Sequence, residues 1–193
     1  MSYLHRLAWL LIAVLGLSGC IAYNQQPLSD PGAARIDEAL LGSWVSTNPD
    51  NSNEKLELDI TRDGDHQVLI ALTSYEADGS TRQHVYHAHS SIIGDRQYLN
   101  VYASEQERDL RGYMTVRYGI DNQGTLNVSL LDDDAARGAI QTDGLEGMVS
   151  TNSQFSDITI TAAPAPFAAY LRAHEADLFP RESIFTRPAE STK

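Results

Sequence analysis

The chain of 193 residues holds a single cysteine, Cys20. No intrachain disulfide can form, so any core is built without the covalent staples on which small secreted scaffolds depend. Basic residues are scarce: Lys and Arg total 14 against 26 Asp and Glu, for a formal net charge of −12. Such a surface repels polyphosphate and anionic headgroups, which argues against nucleic acid as a partner. Beyond residue 20 no apolar run has the length of a transmembrane helix. Phosphate-cradling glycine loops, Gly-x-Ser-x-Gly and His-Glu-x-x-His are all missing. The expectation is a non-enzymatic protein, with no cofactor, no metal and no catalytic residues.

What is present begins with an address. Met1 to Arg6 carry a positive charge, residues 7–17 are an unbroken apolar run, and Ser18-Gly19-Cys20 follow. This is the layout of a secretory signal. As a helix the run is roughly 16 Å long at 1.5 Å per residue, about half a hydrocarbon core and too short to span one. Leu17-Ser18-Gly19-Cys20 resembles the lipobox of bacterial lipoproteins. The resemblance implies removal of residues 1–19 as signal peptide, diacylglycerol on the Cys20 thiol and acylation of the new amino group. Several acyl chains hold a protein far better than the marginal grip of one. Ile21, where the inner-membrane class carries Asp, resembles the outer-membrane class. The expected location is therefore the bacterial outer membrane, facing the periplasm, with membrane lipid as a partner through the Cys20 anchor.

Residues 20–34 are polar with two prolines and little periodicity, which predicts a tether. A domain is expected over 35–187 and a tail over 188–193. Within the domain the hydrophobic period is two. Leu56, Leu58 and Ile60 alternate with Glu57, Asp59 and Thr61. Further strands are predicted at 44–47, 67–75, 81–93, 97–103, 113–120, 125–131 and 157–161. Their links are too short for crossovers, so the run reads as an antiparallel meander. A short helix is expected after Asp132-Asp133-Asp134, and a longer one from Pro166 to Phe179, with Phe167, Tyr170, Leu171, His174 and Leu178 on one face. Ser183 to Thr186 suggest a last short strand.

Gly42-Ser43-Trp44 on the first strand of the domain, the meander after it and the late helix together resemble the lipocalin (calycin) superfamily. Residues 40–185 are also similar to a loose set of small bacterial lipoproteins that open on Leu-x-Gly-x-Trp and close on a helix ending Leu-Phe; that likeness carries no activity. The lipocalin resemblance implies an all-β, lipocalin-like antiparallel meander barrel of about eight strands with a C-terminal helix. It also implies that Trp44 closes one end against a basic residue from the last strands, for which Arg181 and Arg187 are the candidates. An eight-stranded barrel is either filled by side chains or holds one small ligand. The expected inward set is Val68, Ile70, Leu72, Leu99, Val101, Met114, Val116, Leu126 and Val128. These aliphatic residues suit an apolar pocket for a small apolar ligand equally with a packed core whose surface binds an envelope protein. Both functions stay open at this stage, and the ligand-binding residues are not assigned.

Three polar groups stand out. His87 and His89 share one face of a predicted strand, with His84 and Tyr86 on the other; they are read as strand residues, with a metal as the sharper alternative. Asp132-Asp133-Asp134 lack the spacing and glycine of a calcium loop and are read as a helix cap. Tyr98, Tyr102, Tyr113 and Tyr118 are read mainly as packing residues, with the rim of a barrel mouth as their alternative role.

Overall fold

A computed structural model describes residues 21–48, 51–152 and 155–189. The signal segment, Cys20 and residues 190–193 of the expected tail lie outside the described residues. The protein is mostly β. Its strands are β1 (Ala22–Asn24), β2 (Gly42–Asn48), β3 (Asn51–Asp63), β4 (Gln67–Tyr75), β5 (Thr81–Ile93), β6 (Arg96–Tyr102), β7 (Tyr113–Ile120), β8 (Leu126–Leu130), β9 (Gly147–Asn152), β10 (Phe155–Ile160) and β11 (Ser183–Phe185). Among the described residues three α-helices interrupt them: α1 (Glu105–Arg111), α2 (Asp133–Gln141) and α3 (Pro164–Leu178).

All strands belong to one sheet, and β2 to β8 pair consecutively and antiparallel. The period-two pattern sets the register. Leu58 lies opposite Leu72 and Ile60 opposite Ile70, so both apolar rows fall on one face, and a slip by one residue would turn them to water. The sheet forks at β7. Its second half, Val116 to Ile120, pairs with β8, and β8 pairs with β11. Its first two residues, Tyr113 and Met114, pair with β1, which runs parallel to β10 and so carries the β10–β9 hairpin. Just past β11, Thr186 exchanges both backbone hydrogen bonds with Val45 of β2, at 2.8 and 2.9 Å.

Two cores sit on opposite faces of this sheet. The inner one gathers all of the expected inward set, with Val116 and Val128 only partly buried, and adds Leu40, Trp44, Leu56, Ile60, Tyr86, Tyr118 and Phe185. The outer one packs α2, α3 and the inner side of β10 against Ile93 and Tyr98. Glu175 of α3 ties this layer down: it accepts from Arg96 at 3.2 Å and Arg117 at 3.1 Å, beside the stack of Arg117 on Phe179. On α3, Phe167, Leu171 and Leu178 are buried as expected from their spacing, while Tyr170 stacks on His174 at 4.2 Å.

Several expectations need correction. The strand expected at 157–161 is β10, which lies off the meander; the place beside β8 belongs to β11. The segment expected to be a tether is built into the fold from Ile21 onward: Ala22 is 1% exposed, and β1 is paired on both edges. Three residues are too few for a period to show, and backbone pairing, not side-chain pattern, holds them. The helix α1 stands where no helix is expected, because it has no apolar face: Leu110 is its one apolar residue and is exposed, and Ser104 starts the helix by accepting from Glu107 N–H through its hydroxyl.

Candidate functional site

The inner face of β2–β8 and β11 encloses a cavity of about 190 Å³. Its walls are mainly aliphatic, including Ile70, Leu72, Leu99, Val101, Leu126 and Val128, with Tyr86, Tyr118 and Phe185 as the aromatic contributors. Burial and the neighbouring Asp37 push the Tyr118 phenol well above its ordinary range, so it stays neutral and serves as a donor to the Asp37 carboxylate at 3.4 Å. An engineered cavity of about 150 Å³ with comparable walls stays dry and takes up benzene.

One end of the cavity is shut. Leu40 lines it, and Trp44 packs behind Leu40 at 2% exposure, with its indole N–H donating to Leu40 O at 2.8 Å. Arg187 covers the outside of Trp44, its guanidinium carbon 3.6 Å from the ring centroid. Its nitrogens donate to Ala39 O at 2.8 Å and Ser43 O at 3.3 Å. Gly42 is required here by its φ of +104°; a Cβ would also stand 2.7 Å from Arg187 Nη1, the movable end of that side chain. Of the two basic candidates for the Trp44 partner, Arg187 therefore makes the contact. Arg181 is elsewhere, bonded to Asp132 Oδ2.

The other end carries the polar rim: Asp132, Asp133, Arg181, Glu182 and Ser183. Asp132 caps α2 by accepting from Ala135 N–H at 3.0 Å, the role expected of the aspartate run. Burial, then repulsion from Asp134 and Asp132, raises the pKa of Asp133. This rim lies at the fork. The end of β8 parts from β7 at Leu131, whose N–H donates to Thr115 O, and β1 takes over beside β7 at Met114. Ile21, in the gap between them, lines the cavity. It also lines a second, more polar hollow of about 230 Å³ formed with Tyr23, His84, Val85, Tyr102, Glu107 and Gly112. Tyr86 and Met114 border both spaces.

The start of the chain is fixed at this fork. Gly112, φ +92°, lets β1 approach so closely that a Cβ there would meet Asn24 O at 2.2 Å. Asn24 is 1% exposed and accepts from Thr115 Oγ1 at 2.7 Å. Next, Leu28 N–H donates to Asn100 Oδ1 at 2.7 Å, and Asn100 donates to Ser91 Oγ at 2.8 Å. Each of these buried groups would cost about 1–3 kcal/mol if left without its partner. Nothing in the sequence marks this strap, because Asn, Ser and Thr on strands ordinarily face solvent.

The three histidines of β5 do not converge. His84 stacks on Tyr86 at 6.3 Å, on the side of the second hollow. His87 stacks on Tyr102 at 5.3 Å and its Nδ1 meets Asp63 Oδ2 at 2.8 Å. His89 is 1% exposed, meets the edge of Tyr113 at 5.7 Å and bonds through Nε2 to Ser29 O at 3.3 Å. The tyrosines separate likewise: Tyr118 lines the cavity, Tyr102 and Tyr113 pack edge to face on the outside, and Tyr98 packs against Phe179, with burial raising its pKa to about 12. Comparison with protein-family models, with curated proteins and with solved structures finds no match to this chain.

Proposed function

We propose that this chain is a membrane-anchored bacterial lipoprotein whose domain is a lipocalin-like barrel that binds a small apolar ligand, acting at the outer membrane and facing the periplasm. The observation that carries the reading is the apolar cavity of about 190 Å³ among the residues expected to point inward. A packed core, the alternative that implied a surface interaction protein, would leave no such space. Closure of the sheet into a barrel is supported by the paired hydrogen bonds of Val45 and Thr186, which join β2 to the residue just past β11, the strand that pairs with β8. Likeness to lipocalins is supported by the stack of Arg187 on Trp44 behind the closed end. The anchor rests on the lipobox resemblance of residues 17–20. Leu110 of α1, 76% exposed next to the Arg111–Tyr23 contact, places an apolar side chain at the end where the anchor would emerge.

The test is native mass spectrometry of the Cys20→Ser domain, exported to a bacterial periplasm and purified without detergent. A bound apolar molecule released by denaturation is the expected result. A clean apo mass, together with no shift of the methyl resonances of Leu72, Leu99 and Val101 on adding benzene, would overturn the ligand-binding reading.

A further inference from the structure

The cavity and the expected lipid anchor meet at one residue. We propose that a fatty acyl chain attached to Cys20 folds back into the cavity, so that the anchor itself supplies the ligand; this rests on the reading above of a lipid-anchored, apolar-binding barrel. Ile21 lines the cavity, and the next Cα toward the chain start lies about 3.8 Å from that of Ile21. No slack separates the two. Ala22 is buried and pairs with Ile158 of β10, Tyr23 and Asn24 pair with β7 as well, and the tight approach of Asn24 to Gly112 fixes β1 against β7. After cleavage before Cys20, the chain outside the described residues at this end is that one residue with its acyl groups. Those groups therefore start at the fork, beside the open end of an apolar space.

The chemistry of the two parts matches. A saturated chain finds only apolar side chains along the walls formed by Met114, Val116, Leu99 and Leu126. The polar ester and amide links at Cys20 would remain at the rim, where Arg181, Ser183 and Glu182 offer donors and acceptors. Volume limits the occupant to the end of one chain. Stable anchoring needs two hydrophobic chains, so a triacylated Cys20 can place one in the barrel and keep the others in the bilayer. The source of the chain is then in cis, and a free fatty acid or bilayer lipid competes with it instead of filling an empty site.

Photo-methionine, a diazirine analogue close to methionine in size, tests this in the full-length protein matured in its host membrane. After signal removal the chain keeps two methionines, Met114 in the cavity wall and Met148, 59% exposed on β9. The proposal expects light to join the Met114 peptide to the acylated Cys20 peptide of the same chain, with loss of that product in Met114→Leu and none at Met148. A Met114 peptide joined to a separate lipid overturns the cis source and leaves the apolar-ligand reading standing. No lipid at Met114 also overturns it, and benzene titration of the Cys20→Ser domain then decides whether the apolar-ligand reading falls with it. An N-terminal peptide without acyl groups overturns the proposal at the anchor.

Discussion

Enlarging Val101 to phenylalanine asks the cavity question in energetic terms. Val101 is 6% exposed on β6, flanked by Ala88 and Met114, and its side chain lines the cavity. Phenylalanine adds four carbons. In a filled core this overpacks neighbours and costs about 1–3 kcal/mol. In a cavity of about 190 Å³ the added carbons find room. At about 0.8 kcal/mol per buried carbon they gain at most roughly 3 kcal/mol, less the entropy of ordering the ring. Val101→Phe should therefore be neutral to about 2 kcal/mol more stable, a rise in Tm of up to about 8 °C for a domain of this size. Urea unfolding with an unchanged m-value is the assay, paired with benzene titration, which should lose its signal as the space fills. A variant destabilised by more than about 1 kcal/mol, with benzene binding intact, would refute the reasoning.

Three further outcomes follow from the two ends of the cavity and the strap. Arg187→Ala should lower stability by about 1–2 kcal/mol in urea unfolding, and Arg187→Lys should recover less than half, because an ammonium cannot lie flat on Trp44 while forking to Ala39 O and Ser43 O. Gly112→Ala forces a Cβ to within 2.2 Å of a backbone oxygen at positive φ, so a loss of about 2–4 kcal/mol and early hydrogen exchange in β1 are expected. His89 is buried, its pKa held below the ordinary 6.5 by desolvation, and among the described residues its Nδ1 has no hydrogen-bond partner. The unfolded chain takes up a proton there at higher pH than the folded one. Its contribution is thus fully present above about pH 6.5 and is lost as pH falls toward the folded pKa. The stability difference between wild type and His89→Gln, followed from pH 7.5 to 5, should move against wild type; a flat difference would contradict it.

Strand positions were legible wherever one face is buried. β4, β5 and β7 fall at the expected 67–75, 81–93 and 113–120, although β4, apolar on both faces in the sequence, fully buries only the face of Val68, Ile70 and Leu72. The closed end was half legible: Gly42-Ser43-Trp44 announced it, but the choice of Arg187 over Arg181 depends on where β11 pairs, which involves a contact from the far end of the chain. The integration of residues 21–34 was not legible. Its determinants are backbone pairing in a three-residue strand, a glycine far off at 112, and polar side chains such as Asn24 and Asn100 that are buried only because they satisfy one another. The cavity itself was invisible for a different reason: the same aliphatic residues can fill a barrel or pave it, and only their positions in space separate the two.

Xenon probes the open apolar interior most directly. Crystals of the Cys20→Ser domain under xenon pressure should show bound gas enclosed by Leu72, Leu99, Val101 and Leu126, since apolar cavities of about this size take it up. An interior without xenon, in which those side chains close on one another, would contradict an open cavity and return the protein to a packed module whose function lies on its surface.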